Sequence, residues 1–296
     1  WPKDSALAKT LSLDGRKVET QVLHFDGWSW SAYSYLWNDD ESDADLVAAG
    51  GAEKSFRIGG RERRWSVPPR AACLTCHNPW PGFSLTMNYA QLERLHPFPA
   101  GSLPLKQTLV SMKLLPDKLP GGKPLTNPYD ARLGLAERAR SYLAVNCSTC
   151  HRFGGGGSAL IDLRHEIAEK ELKLVDVPPL LGGFDLDDPR LVAPGDPARS
   201  VLLCRLSKLG QGHMPRLGSA EVDGAGAALL AEWITSLGPR PARPASPLAK
   251  RLETAGGALE LTLAWPGLTE AERAEAVKLG LASPLPLVRD LFERFV

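Results

Sequence analysis

Arg138-Ala139-Arg140-Ser141-Tyr142-Leu143-Ala144-Val145-Asn146-Cys147-Ser148-Thr149-Cys150-His151 is the stretch on which the reading of this chain turns. It ends in the pattern C-x-x-C-H, which also stands earlier as Cys73-Leu74-Thr75-Cys76-His77. That order of residues is the attachment signature of a c-type haem. Two thiols three positions apart can each form a thioether to one vinyl group of the same haem. The histidine that follows is then held beneath the iron, where its imidazole serves as proximal ligand. The two words use four of the five cysteines in the chain (Cys73, Cys76, Cys147 and Cys150) and offer His77 and His151 to the irons. Two covalently attached c-type haems are therefore expected. A zinc knuckle or a redox dithiol also uses C-x-x-C. Neither explains a histidine after both pairs. A thioredoxin-like site needs a βαβ setting, which the sequence lacks. A disulfide between cysteines three apart closes too short a loop to be a useful staple.

The residues before Cys147 predict a helix over 131–145, with Leu135, Ala139, Tyr142 and Leu143 on one apolar face. A second helix is expected over 197–209, with Asp196 as N-cap, Pro197 in its first turn and Gly210 after its end. A third spans 225–237, with Leu230, Trp233, Ile234 and Leu237 as its apolar stripe. A helix feeding a haem word, a methionine loop and an aromatic-bearing helix follow the order of a small all-α cytochrome c. Met214, in Gly212-His213-Met214-Pro215, is the expected sixth ligand of the second iron, with His213 as the neighbouring alternative. A thioether there raises the reduction potential relative to a second histidine. For the first iron the sixth position stays open among Met87, His96, Met112 and His24. A five-coordinate first iron also stays open, and would change the functional class.

Upstream of the first word, residues 18–67 read as β structure. One hairpin is expected from 18–25 and 28–37 around Asp26-Gly27, another from 54–58 and 61–67 around Gly59-Gly60. The acidic loop Asp39–Asp45 between them reads as a solvated turn capping a short helix, with calcium or a basic partner as alternatives. Among Arg57, Arg61, Arg63, Arg64 and Arg70, one or two could pair with haem propionates, as could the Trp65 indole N–H. Gly154–Gly157 either turn the chain closely past the second haem or form a flexible loop. Cys204 is expected to pack as a small hydrophobe.

The chain has 296 residues, 43% of them apolar, enough for two or three small domains. Short helices are expected near 88–95 and 105–115. The Pro- and Gly-rich 116–128 and the prolines of 239–247 read as linkers. After the second come short helices, one opened by a capping box from Thr269 to Glu272. The expected domains are a β-rich segment over 1–68, a first haem domain over 69–128, a second over 129–240 and a helical tail over 241–296. The expected fold class is mainly α: cytochrome c-like helical haem domains with an N-terminal β-hairpin segment and a short helical C-terminal tail. A net charge of +1 gives no reason to expect a nucleic-acid partner. No apolar run reaches the length of a membrane span. The chain starts at Trp1 without a signal peptide, and c-type haem is attached outside the bacterial cytoplasm. That reads as a segment of a periplasmic protein whose export signal lies elsewhere.

The words Tyr33-Ser34-Tyr35-Leu36-Trp37-Asn38-Asp39, Asp43-Ala44-Asp45-Leu46 and Trp65-Ser66-Val67-Pro68 precede the first haem word. Gln91-Leu92, the run 138–147, Met214-Pro215 and Trp233-Ile234 follow it. Together, over about 16–237, they resemble a family of bacterial diheme c-type cytochromes of planctomycete type. The resemblance implies electron transfer rather than catalysis, passing single electrons from an upstream oxidoreductase to a downstream acceptor. Such proteins are often multidomain, carrying a sugar-dehydrogenase-like domain. The tail word Arg289–Phe295 looks like the connector that precedes a further haem domain. Two rivals use an open first haem: a diheme peroxidase-like enzyme and a haem-based gas sensor.

Overall fold

Asp14 and Gly15 both take positive φ, 47° and 84°, the pair of left-handed positions that a tight β-hairpin turn needs. They join β1 (Ser5–Leu13) to β2 (Arg16–Phe25). With β3 (Trp30–Trp37) and β4 (Ala44–Leu46) these form a 4-stranded antiparallel sheet in the order β1-β2-β3-β4. Gly59 and Gly60, at φ 57° and 79°, close a second hairpin of β5 (Ala52–Ile58) and β6 (Arg61–Val67). A single helical turn, α1 (Arg70–Cys73), then leads into the first haem word. The computed structural model describes residues 1–86, 88–99, 101–119, 123–243 and 245–296. The chain divides into two compact units, Trp1–Leu85 and Thr86–Val296.

In the first unit the sheet register sets what faces the haem word. Leu23 pairs with Ala32 and Phe25 with Trp30. Leu23, Trp30 and Ala32 are buried, and Leu7, Phe25, Phe83 and Cys73 pack against them. Glu19 is on the same side of β2 by the two-residue period of a strand. It is 2% exposed and accepts from Trp65 Nε1 at 2.8 Å and from Gln21 Nε2 at 3.1 Å. The Trp65 N–H is thereby committed to a protein carboxylate. The acidic loop leads into strand β4, not a helix. Asp39 lies 3.3 Å from both Arg16 and Lys54, and Glu41 accepts from the Lys17 backbone N–H. The loop's charge is thus partly answered from within the unit. Among the described residues no group of three or more His, Cys, Asp or Glu is placed to hold a metal ion.

The second unit opens with α2 (Tyr89–Leu92), the hairpin β7 (Leu95–Phe98) and β8 (Gly101–Pro104), and α3 (Leu105–Ser111). The linker expected over 116–128 falls partly outside the described residues. Then come α4 (Leu135–Asn146), α5 (Val201–Ser207) and α6 (Gly224–Ser236). Asp196 caps a 3-10 turn, Pro197–Arg199, rather than α5 itself, because Ser200 takes extended backbone between the two. The tail supplies α7 (Leu248–Arg251), α8 (Ala255–Leu263), α9 (Glu270–Leu281) and α10 (Pro286–Glu293). The capping box of Thr269 and Glu272 is formed at the start of α9.

The tail shares one core with the helices around the second haem word. Leu143, Leu203, Cys204, Trp233, Leu259, Leu291 and Phe292 belong to a single buried cluster. Arg243, in the proline-rich stretch before α7, pairs with Asp196 at 2.6 Å and Glu260 at 2.5 Å. Helices α4 and α6 meet at Gly226, where a Cβ would stand 2.2 Å from Tyr142 Oη. The same hydroxyl donates to Asp223, the N-cap of α6, at 2.9 Å. Gly226→Ala should therefore lower the stability of the protein by about 3 kcal/mol, the upper range for overpacking a core, in chemical unfolding.

The mainly-α expectation is overturned: the molecule is 31% helix and 19% strand, with several antiparallel sheets. The first cause is β1 with β4, which extend one hairpin into a four-stranded sheet. The second is the chain between His151 and Pro197, where only a short 3-10 turn, Glu169–Glu171, is helical. Gly154, Lys173, Asp176, Gly182, Phe184, Asp185 and Asp188 all take positive φ there, which interrupts helical backbone. Among the described residues no helix is long and apolar enough to cross a membrane.

Candidate functional site

The two haem words fold into the same local turn. In the first, the Cys76 N–H donates to Cys73 O at 3.2 Å and the His77 N–H to the same carbonyl at 2.9 Å. In the second, the Cys150 and His151 N–H groups reach Cys147 O at 3.2 and 2.9 Å. One helical turn thus presents two sulfurs and an imidazole from neighbouring positions, as attachment of a single macrocycle requires. No disulfide joins the cysteines of either word. Burial, with the charge of Glu19, raises the pKa of Cys73, and burial pushes Cys147 up to about 12. Redox dithiols and reactive cysteines need the opposite shift.

His77 carries the signature of an oriented ligand. Its Nδ1 lies 2.7 Å from Phe83 O. A carbonyl oxygen can only accept, so Nδ1 carries a proton, and in the neutral ring the lone pair is then on Nε2. Iron-binding histidines are commonly fixed by such a bond from the far ring nitrogen. The Phe83 carbonyl is aimed by a left-handed residue, φ 64°, after Gly82 at φ 80°. Its ring stacks on Trp30 with centroids 6.2 Å apart. A cleft beside Cys73 is lined by Ala32, Ser34, Val47, Val67 and Arg70. Arg70 is held over the Tyr33 ring at 4.7 Å, whereas Arg64 pairs with Glu53.

His151 is buried differently. Its Nδ1 is sealed from solvent without a hydrogen-bond partner. Burial first, and the Arg205 charge second, lower its pKa, so the ring is neutral and able to bind a metal ion. The glycine loop packs on it closely. A Cβ on Gly157 would stand 2.7 Å from His151 Nδ1, and one on Gly155 would stand 2.2 Å from Cys150 O. Close approach, not flexibility, is what these glycines provide. Phe153, Leu160, Leu180 and Leu181 are at least 70% exposed. They sit on segments tied to the site, since the Leu163 N–H donates to His151 O at 2.9 Å and Arg205 Nη2 to Leu181 O at 3.2 Å. Exposed apolar side chains on segments hydrogen-bonded to the His151 backbone and to Arg205, beside a neutral imidazole, suit a large flat apolar group. These residues fit a haem.

Met214 is half-buried in a loop fastened to the end of α5. Its N–H donates to Arg205 O at 3.0 Å, and Arg205 Nη1 donates to Gly212 O at 3.0 Å. The Arg205 guanidinium lies 4.6 Å over the Phe184 ring. Arg205 therefore both holds the methionine loop and acts electrostatically on His151. His213 turns into the protein: it is buried, its Nε2 lies 2.9 Å from Ser219 Oγ, and the Arg205 and Lys208 carbonyls face its ring.

The candidates for the first iron are placed as follows. His24 pairs with Ser31 and Ala6, on the face of β2 opposite Leu23 and Cys73, and its Nε2 is 3.8 Å from Asp4. The first unit does not bring it to His77. His96 is on β7, edge-on to Phe98 at 4.9 Å, and Met112 follows α3 and is 58% exposed; both belong to the second unit. Met87 lies outside the described residues. The sequence reading missed Arg205, Lys208 and the Phe83 carbonyl. Arg205 and Lys208 were legible only as charges on an otherwise apolar helix, and a carbonyl leaves no trace in side-chain pattern. Set against models of known protein families, curated proteins and solved structures, the chain matches none of them.

Proposed function

We propose that the chain is a diheme electron-transfer protein. Cys73 and Cys76 hold one c-type haem with His77 as proximal ligand; Cys147 and Cys150 hold a second with His151, and Met214 completes its iron. When bound, each haem supplies a one-electron Fe(III)/Fe(II) couple. The protein's own part is to attach, orient and bury the haems and to fix their ligands. The observation that carries the reading is the shared turn: both words repeat the same 3.2 and 2.9 Å backbone bonds. The partners are an oxidoreductase as donor and a further redox protein or domain as acceptor, in an extracytoplasmic compartment.

Expressed in a bacterium able to attach c-type haem, the intact chain should carry two haems by mass. The pairs Cys73→Ala/Cys76→Ala and Cys147→Ala/Cys150→Ala should each carry one. A chain that leaves the cell with no covalent haem would sink the proposal.

A second reading turns on the first haem's sixth ligand, for which Met87, outside the described residues, and His96 and Met112, in the second unit, stand beside His24. Residues 1–85 contain one histidine besides His77 and no methionine, and that histidine, His24, faces away. An open first iron would suit peroxide reduction or binding of a diatomic gas. Carbon monoxide titration of the ferrous protein separates the two. No binding at either haem leaves a pure relay; binding at the first, with peroxide turnover, makes it an enzyme.

A further inference from the structure

Lys208 is 1% exposed, a rare state for lysine unless its charge is met. Its ammonium donates to Leu209 O at 2.8 Å and to Gln211 O, and pairs with Asp290 Oδ2 at 2.7 Å. All three N–H donors are therefore used. Two of them hold carbonyls of the loop that ends in Met214; the third reaches α10, far along the chain. Arg205 holds the same loop at Gly212, but its other partners, Leu181 O and the Phe184 ring, lie outside the tail. Lys208 is thus the side chain through which the tail acts on this loop.

We infer that the C-terminal tail is a working part of the second haem site, with Asp290 a positioning residue that acts through Lys208 to fix the loop presenting Met214. The inference rests on Met214 as the sixth ligand of that iron. Without Asp290 the buried ammonium would face two carbonyls with no counter-charge, an arrangement costly enough to be relieved by movement. The direct relief is for Lys208 to swing out, which releases Leu209 O and Gln211 O together. The loop is then tied only through Arg205, and the methionine's hold on the iron weakens.

The test uses the intact holoprotein and reads ligation rather than turnover. Asp290→Asn should weaken methionine ligation about tenfold, the lower end of the effect of outer partners on metal sites. It would appear as a fainter sulfur-to-iron charge-transfer band in the ferric protein and faster carbon monoxide binding at the second ferrous haem. Asp290→Glu should recover much of the band. Val288→Ala, which removes buried methyls from the same helix, should lower the unfolding midpoint and leave the band intact. An unchanged band and carbon monoxide rate in Asp290→Asn, beside a Met214→Ala protein that has lost the band, overturns the coupling alone. A Met214→Ala protein that keeps the band overturns the ligand reading and the coupling built on it. If Asp290→Asn does not fold, hydrogen exchange of the wild type decides. Peptides covering 209–214 and 286–293 should open in one event; a loop still protected after α10 has exchanged overturns the inference.

Discussion

On the proposed diheme reading, Gly157→Ala should cost the second haem its axial histidine while leaving both haems covalently attached. A Cβ at this position would stand 2.7 Å from His151 Nδ1, 2.9 Å from Cε1 and 2.9 Å from Cys150 O. Contacts that short cannot persist, so something must move. The loop cannot retreat freely, because the Gly157 N–H donates to Cys150 O at 3.0 Å. The His151 ring is the part with least to hold it, since its Nδ1 has no partner. The methyl therefore turns the imidazole away from the iron. The thiols are untouched, so mass spectrometry should still count two haems. The ferric spectrum should show the second haem passing largely to high spin, a fall of about 10- to 100-fold in histidine ligation. Gly224→Ala is the control: a Cβ there meets nothing within 4 Å, and its spectrum should match the wild type. A Gly157→Ala protein that keeps a wild-type low-spin spectrum would show that the ring is held by contacts other than this loop.

What could be read in advance was whatever local chemistry dictates. The Gly59-Gly60 turn and the Thr269–Glu272 capping box each demand particular residues at fixed spacing, and each is formed as spelled; the two C-x-x-C-H words share one backbone turn. Helices α4 and α6 begin and end within a few residues of expectation, because Tyr142, Leu143, Trp233 and Ile234 repeat on one buried face. Strand β1 was missed for the converse reason. Its apolar period, Leu7, Leu11 and Leu13, is broken by Lys9, and its burial never passes intermediate along Ser5–Leu13, so the signal is weak. A second mark is Asp14-Gly15, the same kind of turn signal used elsewhere in the chain.

The tail shows a different limit. Its helices were legible, but not what they cover. Leu287, Val288, Leu291 and Phe292 form an apolar stripe at most 3% exposed, and such a stripe says only that something is packed against it. That it joins the core of Trp233 and Leu203, and that Asp290 reaches Lys208, depends on contacts far apart in sequence. The same holds for two of the three histidines that sequence left as ligand alternatives. Strand parity turns His24 away from Cys73, and the Ser219 contact turns His213 inward. Neither fact is written in residue type.

On the proposed methionine ligation, Met214→Ala should convert the second haem from closed to open. The methionine is held by its own N–H to Arg205 O and by the clamps on Leu209, Gln211 and Gly212. Removing the thioether leaves that loop in place, so no other side chain is delivered to the iron. His213, the nearest substitute, is tied at Nε2 to Ser219 and buried against the end of α5. The ferrous protein should therefore bind a further equivalent of carbon monoxide, and the second haem's midpoint potential should fall, since methionine ligation raises it. The ferric sulfur-to-iron band should vanish. His213→Ala separates the two candidates: it removes a buried hydrogen bond worth about 1 kcal/mol but should leave the band and the potential near their wild-type values. If instead His213→Ala opens the iron and Met214→Ala does not, the ligand is the histidine, and the Arg205 and Lys208 clamps serve to bury it rather than to present its neighbour.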